Sequence, residues 1–239
     1  MSNVGDGLIA ERGNWTFSGD VADSFDEHVS KSVPLYHEGH ELVCGISDFF
    51  IKSDSVCYEI GCSTGTLTIL LAEHNHSKPG ASFIGIDIEV DMIEKAKSKA
   101  SAFPDLNVAF LAEDALLSEM EPADLIVCYY TIQFVRPAVR QALVNKLYNT
   151  LNWGGALLLF EKVRGADARF QDMLTTLYND YKLRRGYTPE EIISKTMSLK
   201  GVLEPFSTQG NLDMLKRAGF VDFNAVQKYL GFEGILAIK

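Results

Sequence analysis

The chain is poor in cysteine, in positive charge and in long apolar runs. Four cysteines (Cys44, Cys57, Cys62 and Cys128) are spread over 239 residues with no C-x-x-C pair. That spacing argues against a disulfide framework or a thiolate metal site, and predicts reduced core thiols in a cytoplasmic protein. Cys62 alone stands in a glycine turn, beside whatever the turn binds. Lysine and arginine number 22 against 32 acidic residues, a net charge of −10. A protein this acidic is a poor non-specific ligand for phosphate backbones, so no direct nucleic-acid binding is expected; Lys182, Arg184 and Arg185 are the candidate local basic patch. No apolar run approaches the ~20 residues of a membrane span. The start, Met1 to Gly7, lacks the basic region and apolar core of a secretory signal. There is no internal repeat and no low-complexity tract. His37 and His40 are three apart, not the H-E-x-x-H spacing, so no metal site is expected and both read as exposed helix residues. His28, His74 and His76 read as solvated.

Apolar residues make up 46 % of the chain, enough for a full core. Residues 1–17 are polar and glycine-containing, and their start is expected to fray. Ser18 or Asp20 caps a first helix through Val21, Phe25 and Val29, and Pro34 opens a second. From Asp54 the alternation is regular: strand 56–60, helix 65–74, strand 82–87, helix 89–101, strand 107–111, strand 124–129, helix 137–151, strand 156–160. Asn152 to Gly155 is read as the end of helix 137–151. After Glu161 the alternation breaks into helices with Thr188-Pro189 as a new start, then helix 209–218 and two strands, 221–229 and 232–238, turning near Gly231. Apolar runs separated by amphipathic helices predict an α/β fold with a mostly parallel sheet covered on both faces. The expected organisation is an N-terminal helical cap over 1–52 and a ligand-binding domain over 53–239 that carries a helical insertion, 166–205, before the sixth strand.

One stretch carries most of the chemistry. Tyr58-Glu59-Ile60-Gly61-Cys62-Ser63-Thr64-Gly65 reads as strand end, glycine turn and helix start. Gly61 and Gly65 let a ligand approach the main chain, and the helix opening near Thr64 points free N–H groups at the turn. A second strand ends on Asp87, 26 residues after Gly61, where a carboxylate accepts from the two hydroxyls of a ribose. The turn is neither G-x-G-x-x-G nor a phosphate loop.

E-x-G-x-x-x-G after a strand, with acidic residues at Asp87 and Asp114, resembles the first motifs of class I S-adenosylmethionine (SAM)-dependent methyltransferases. The resemblance implies a seven-stranded, Rossmann-like sheet with an antiparallel C-terminal hairpin, and SAM as cofactor. A closer one rests on Trp15-Thr16-Phe17, Ser32-Val33-Pro34 with Tyr36, Gly61-Cys62-Ser63, Thr131-Ile132-Gln133-Phe134, Arg140-Gln141-Ala142-Leu143, Leu151 to Leu157 with Glu161-Lys162, and Gly186-Tyr187 with Glu191-Ile192. These blocks look like the carboxy-S-adenosylmethionine synthase family, which converts SAM and prephenate into a carboxylated SAM used in tRNA wobble-uridine modification. By that resemblance Tyr36, Gly61, Cys62, Ser63, Asp87, Asp114 and Ala115 fall on ligand-contacting positions. Ile88 and Tyr129 stand where that family has asparagines. Thr196 stands where it has the arginine that clasps the extra carboxylate. A hydroxyl supplies one donor to a desolvated acid whose unpaired burial costs several kcal/mol. Lys195 points about 100° away from Thr196 on a helix, whereas Lys200 reaches from the same face.

These departures favour ordinary methyl transfer to a small-molecule acceptor, with carboxylated-SAM synthesis as the alternative and a catalytically silent nucleotide-binding subunit as a third reading. In the first, Glu59 steadies the methionine end through the turn, Gly65 opens the helix, Asp87 takes the ribose, and Asp114 with the Ala115 N–H takes the adenine. Ile88 flanks them, and Tyr129 lines the cleft near the sulfonium. Tyr36, Gln133, Tyr178, Tyr187 and Arg185 are candidates on the acceptor side, with Tyr129, Gln133 and Tyr36 nearest the chemistry. Phe170, Leu174, Leu177 and Tyr181 make a helical stripe compatible with a homodimer.

Overall fold

The apolar runs become strands of a single sheet because both of its faces are covered. A computed structural model describes residues 2–5, 9–11, 13, 15–17 and 20–239. Their elements are β1 (Ser2–Asn3), β2 (Ile9–Ala10), α1 (Asp20–Ser32), α2 (Tyr36–Ser47), β3 (Val56–Ile60), α3 (Thr66–His74), β4 (Ser82–Asp87), α4 (Val90–Ala100) and β5 (Val108–Ala112). They continue with β6 (Ala123–Tyr129), α5 (Pro137–Thr150), β7 (Leu151–Lys162), α6 (Ala168–Arg184), α7 (Pro189–Ser198), α8 (Thr208–Ala218), β8 (Asp222–Tyr229) and β9 (Phe232–Ile238). Seven strands form the main sheet in the order β5-β4-β3-β6-β7-β9-β8. The first five are parallel, and β9 runs antiparallel to both β7 and β8. The strand order reverses between β3 and β6, and ligands of open α/β sheets bind at the carboxyl ends of strands at such a reversal.

Alternation along β6 shows why both faces need cover. Ile126 and Cys128 pack into one core with Leu143, Leu147 and Met214 of α5 and α8. Leu125 and Val127 pack into the other with Val43 of α2 and Leu67 and Leu71 of α3. Full burial of each such side chain contributes about 1.5–3 kcal/mol. α2 is thus part of the second core as well as of the N-terminal region. All four cysteines are free and buried.

Two expectations differ from the structure, and a third falls partly outside the described residues. The segment before α1 does not simply fray: β1 pairs with β2, and the Gly13 and Trp15 N–H groups donate to Met197 and Ser198 carbonyls at 3.0 and 3.3 Å. The proposed cap Ser18 lies outside the described residues, and α1 begins at Asp20. The Asn152–Gly155 stretch does not terminate α5, which stops at Thr150 with β7 starting at once. On β6, Ala123 pairs with Leu151 and Leu125 with Ala156, so Asn152–Gly155 bulges out of β7 and leaves Trp153 88 % exposed. Glycines that close a helix and glycines that bulge a strand look alike in a sequence.

Candidate functional site

A cleft of about 1230 Å³ opens over the carboxyl ends of β3, β4, β6 and β7, walled by α1, α6 and α7. This exceeds the roughly 300–1,000 Å³ of a site for one small molecule. Its floor is the turn after β3. Gly61 has φ +71°, and a Cβ there would meet Thr131 of the β6 end, with Thr131 Cβ at 2.9 Å and its Oγ1 and Cγ2 closer still. Thr131 is fixed by donating to the Ile60 carbonyl at 2.8 Å. Only a residue without a side chain fits between the two strand ends. The Gly61 and Cys62 N–H groups both donate to the Ile86 carbonyl, at 2.7 and 3.1 Å, which ties the turn to β4.

Asp87 closes the same loop. Its Oδ2 accepts from the Ser63 N–H at 2.8 Å and its Oδ1 from the Glu89 N–H at 3.0 Å. Burial outweighs these bonds and pushes its carboxyl above the ordinary range. A carboxylate has about four acceptor sites; the Ile88 N–H also acts on this one, and the acceptor capacity that remains faces the cleft, as a ribose hydroxyl requires. Glu59 is buried under the turn, where its carboxylate accepts from the Thr68 hydroxyl and N–H at the start of α3. Burial first, opposed by those two bonds, pushes it up to about 8. Gly65 caps α3 in the left-handed region. Asp114 Oδ1 accepts from the Leu116 N–H at 2.9 Å, leaving its second oxygen available at the cleft edge, where Ala115 and the 66 % exposed Ile88 also stand.

The aromatic side chains are more constrained than the sequence suggests. The Tyr129 hydroxyl donates to the Tyr36 carbonyl at 2.6 Å. Its ring sits 4.7 Å from His40, 4.8 Å from Phe160 and 5.3 Å from Tyr36. The Tyr36 hydroxyl has no hydrogen-bond partner among the described residues, and both rings line the cleft. His40 is not an exposed helix residue: it is buried, neither ring nitrogen has a partner among the described residues, and burial lowers it to about 4. Gly39 makes room for this packing, since a Cβ there would collide with the Tyr129 hydroxyl and meet its Cζ at 3.1 Å. Gly39→Ala is expected to break the Tyr129–Tyr36 bond and destabilise the fold by about 1–3 kcal/mol. Urea denaturation checks this, and Tyr129→Phe in the same chain should restore part of the loss.

Gln133 lines the cleft with both ends of its amide engaged. Its Nε2 donates to the Tyr130 carbonyl at 3.1 Å, and its Oε1 accepts from the Lys162 N–H at 2.8 Å. It braces β6 against β7. Tyr178 and Tyr187 also line the cleft and hold α1 through Ser32: Tyr178 donates to its carbonyl at 2.8 Å, and the Tyr187 hydroxyl lies 3.0 Å from its Oγ. Arg185 lies outside the cleft lining, with its guanidinium 5.2 Å from the Tyr181 ring. The α6 stripe is split, with Phe170 and Leu177 about half exposed and Tyr181 buried.

Thr196 lines the cleft, but its hydroxyl already donates to the Ile192 carbonyl at 2.8 Å. Lys195 and Lys200 line the cleft too. The Lys195 ammonium lies 2.7 Å from His28 Nε2 and 3.0 Å from the Trp15 ring centroid. His28 is therefore buried at the cleft wall and not solvated. No group of three or more metal-ligating side chains occurs among the described residues, and none of their helices is long and apolar enough to cross a membrane.

A latch that no local sequence pattern announces ties α1 to the turn. Asp26 bonds Lys99 of α4 and accepts from Thr64 and Thr66 at 2.8 and 3.2 Å. Lys99 in turn donates to both threonine hydroxyls. Burial pushes Asp26 up, but the Lys99 bond and charge and the two hydroxyls outweigh it and hold Asp26 below the ordinary carboxylate range. A depressed carboxyl stabilises the fold fully above its unfolded value of about 3.9, and that stability is lost as pH falls through the lower folded value. The Asp26 side chain is 43 % exposed, so screening limits the effect to on the order of 1 kcal/mol. Asp26→Asn should lower the melting temperature at pH 7. The gap to the parent protein should close as pH drops below about 3.9.

Comparison with known proteins bears on the fold and the family. A methyltransferase domain family matches residues 58–157. Carboxy-S-adenosyl-L-methionine synthase from Staphylococcus epidermidis is 38 % identical over 226 residues, covering 94 % of this chain and 97 % of the relative. The protein of that name from Campylobacter jejuni is 37 % identical, covering 93 % of each. Among solved structures, magnesium protoporphyrin IX methyltransferase from Synechocystis with bound S-adenosylhomocysteine superposes with a TM-score of 0.64 at 18 % identity, over 93 % of this chain and 95 % of that one. Human N-acetylserotonin methyltransferase in complex with SAM gives 0.62 at 20 % identity, over 91 % and 54 %.

Proposed function

The chain belongs to the carboxy-S-adenosyl-L-methionine synthase family, and from that premise and the shape of its cleft we propose that it methylates a small-molecule acceptor. It is a SAM-dependent transferase of methyltransferase fold. The residues present suit the adenosyl group: Asp87 keeps acceptor capacity for the ribose, Asp114 one oxygen for the adenine amino group, and the Gly61 main chain leaves space beside the sulfonium. Glu59 fixes the helix start under the methionine end. Tyr129 and Gln133, both engaged with main chain, position the cleft wall, and Tyr36 presents its hydroxyl to the cleft. α1 and its Asp26–Lys99 latch act as the cap, and the 166–205 insertion forms the acceptor wall.

When bound, SAM would supply an electrophilic methyl carbon to the acceptor's nucleophile, with S-adenosylhomocysteine as the leaving group and the acceptor's proton lost to water or a base. The protein's part is chiefly to hold the nucleophile in line and to exclude water.

The observation that favours methyl transfer over the activity in the relatives' names is Thr196, whose one hydroxyl is spent on Ile192. The second reading, synthesis of carboxylated SAM from SAM and prephenate, is favoured by those relatives and by Lys200 in the cleft wall close to Thr196. Mass spectrometry of the purified protein and its reaction products separates the two. Methyl transfer gives S-adenosylhomocysteine and a methylated acceptor. A retained or released ligand heavier than SAM by one carboxylate would establish the synthase reading.

A further inference from the structure

Helix α1 closes one side of the cleft without belonging to the interior of the fold. Asp26, His28, Val29 and Ser32 line the cleft, but no described residue of α1 is part of either core packed on the main sheet. The next helix differs: α2 buries Val43 and Cys44 in the second core. Between the two helices stands Leu35, at φ +56°. Few residues other than glycine adopt that conformation, and positions at element ends absorb the backbone change of a hinge.

Polar contacts tie α1 to both walls of the cleft. On one side Asp26 bonds Lys99 and accepts from the Thr64 and Thr66 hydroxyls at 2.8 and 3.2 Å. These threonines flank Gly65, the cap of α3 in the glycine turn. On the other side His28 meets Lys195 of α7 at 2.7 Å, and the Ser32 carbonyl accepts from Tyr178 of α6 at 2.8 Å. The helix is a strap across the cleft. Its tie to the turn is the weaker one, because the Asp26 and Lys99 side chains are 43 % and 31 % exposed and water competes for such a pair. His28, at the other tie, is buried. Elements with few buried apolar contacts open locally at low cost.

We propose that α1 is a hinged cover, pivoting at Leu35, and that the Asp26–Lys99 latch controls how fast the cofactor enters and leaves. The hinge stands on the contacts of α1; the cofactor as the molecule it admits rests on the proposed function. Asp26 acts through α1 and not on the bound molecule, so it is a positioning residue. A cover that must open before a ligand passes slows arrival and departure alike. Breaking the latch therefore speeds both and leaves affinity nearly unchanged.

Trp15 supplies the signal, since its ring lines the cleft and stacks on His28 at 5.7 Å. Stopped-flow fluorescence of the full chain with S-adenosylhomocysteine gives both rates. Asp26→Asn and Lys99→Gln should each raise both about fivefold, a factor equivalent to about 1 kcal/mol, with the dissociation constant held within about twofold. The double variant should add nothing further, because all three remove one contact. Added salt should speed exchange in the parent protein, by screening the exposed pair, and not in the variants. Amide hydrogen exchange of the unliganded chain tests the hinge by itself. There α1 should exchange faster than α2, and faster still in Asp26→Asn with α2 unchanged. Unchanged rates in both single variants, or a loss of affinity carried by dissociation alone, would overturn the latch. Equal amide exchange in α1 and α2 would overturn the hinge. Failure of the parent protein to bind S-adenosylhomocysteine would overturn the cofactor reading and the latch's role in admitting it, while the exchange pattern would still decide the hinge.

Discussion

Asp87→Ala should weaken S-adenosylhomocysteine binding about a hundredfold or more. Charge-assisted hydrogen bonds are worth about 1.5–3 kcal/mol each, and a ribose diol makes two. Discounting for water that fills the gap, a net loss of roughly 3 kcal/mol is two powers of ten. A second effect adds to it. The Ser63 and Glu89 N–H groups lose the acceptor that holds the turn against β4, so the binding loop itself relaxes. Asp87→Asn keeps one oxygen and should fall between the two. Calorimetry with S-adenosylhomocysteine measures all three proteins. A loss of less than about threefold for alanine, worth ~0.6 kcal/mol, would remove Asp87 from the site.

Gly61→Ala should be as damaging, by a steric route. The residue sits at φ +71°, where a left-handed backbone costs a side-chain-bearing residue about 1–2 kcal/mol. The added methyl would also press on Thr131, and overpacking of this kind costs about 1–3 kcal/mol. Together these predict a destabilisation of roughly 2–5 kcal/mol and loss of cofactor binding, because the turn cannot shift without moving the β6 end. Thermal unfolding and calorimetry report the two losses. Thr131→Ala in the same chain should recover part of the stability, since it removes the two nearest atoms. An unchanged melting temperature for Gly61→Ala would show that the close approach of turn and strand is not a constraint.

Most of the fold was legible because a parallel sheet covered on both faces needs strands that are apolar at every position. Leu125 to Cys128 and Leu157 to Phe160 are such runs. The glycine turn at Gly61 and the placement of Asp87 at the end of β4 were legible because both depend on local spacing. Features that depend on distant pairing were not. Asp26 meets Lys99 across 73 residues, and nothing local to either announces the partner. Lys162 and Lys182 meet on the Tyr178 ring, a contact between β7 and α6 that local spacing does not reveal. His40 does carry a signal in the sequence: Gly39, His40, Val43, Cys44 and Ser47 are the buried face of α2, and their helical spacing places the histidine inward. The roles of Tyr129 and Gln133 were obscured for a different reason. Position at a strand end predicts that a side chain faces the cleft, but not that neighbouring main chain has already engaged its polar atoms.

The central claim is that the turn after β3 and the carboxylate ending β4 receive an adenosyl group. A crystal structure with S-adenosylhomocysteine tests it most directly. The account predicts both ribose hydroxyls on the Asp87 carboxylate, with the adenine between Ile88 and Ala115 and its amino group at Asp114. An adenosine bound anywhere else, with Asp87 contacting only Ser63 and Glu89, would contradict it.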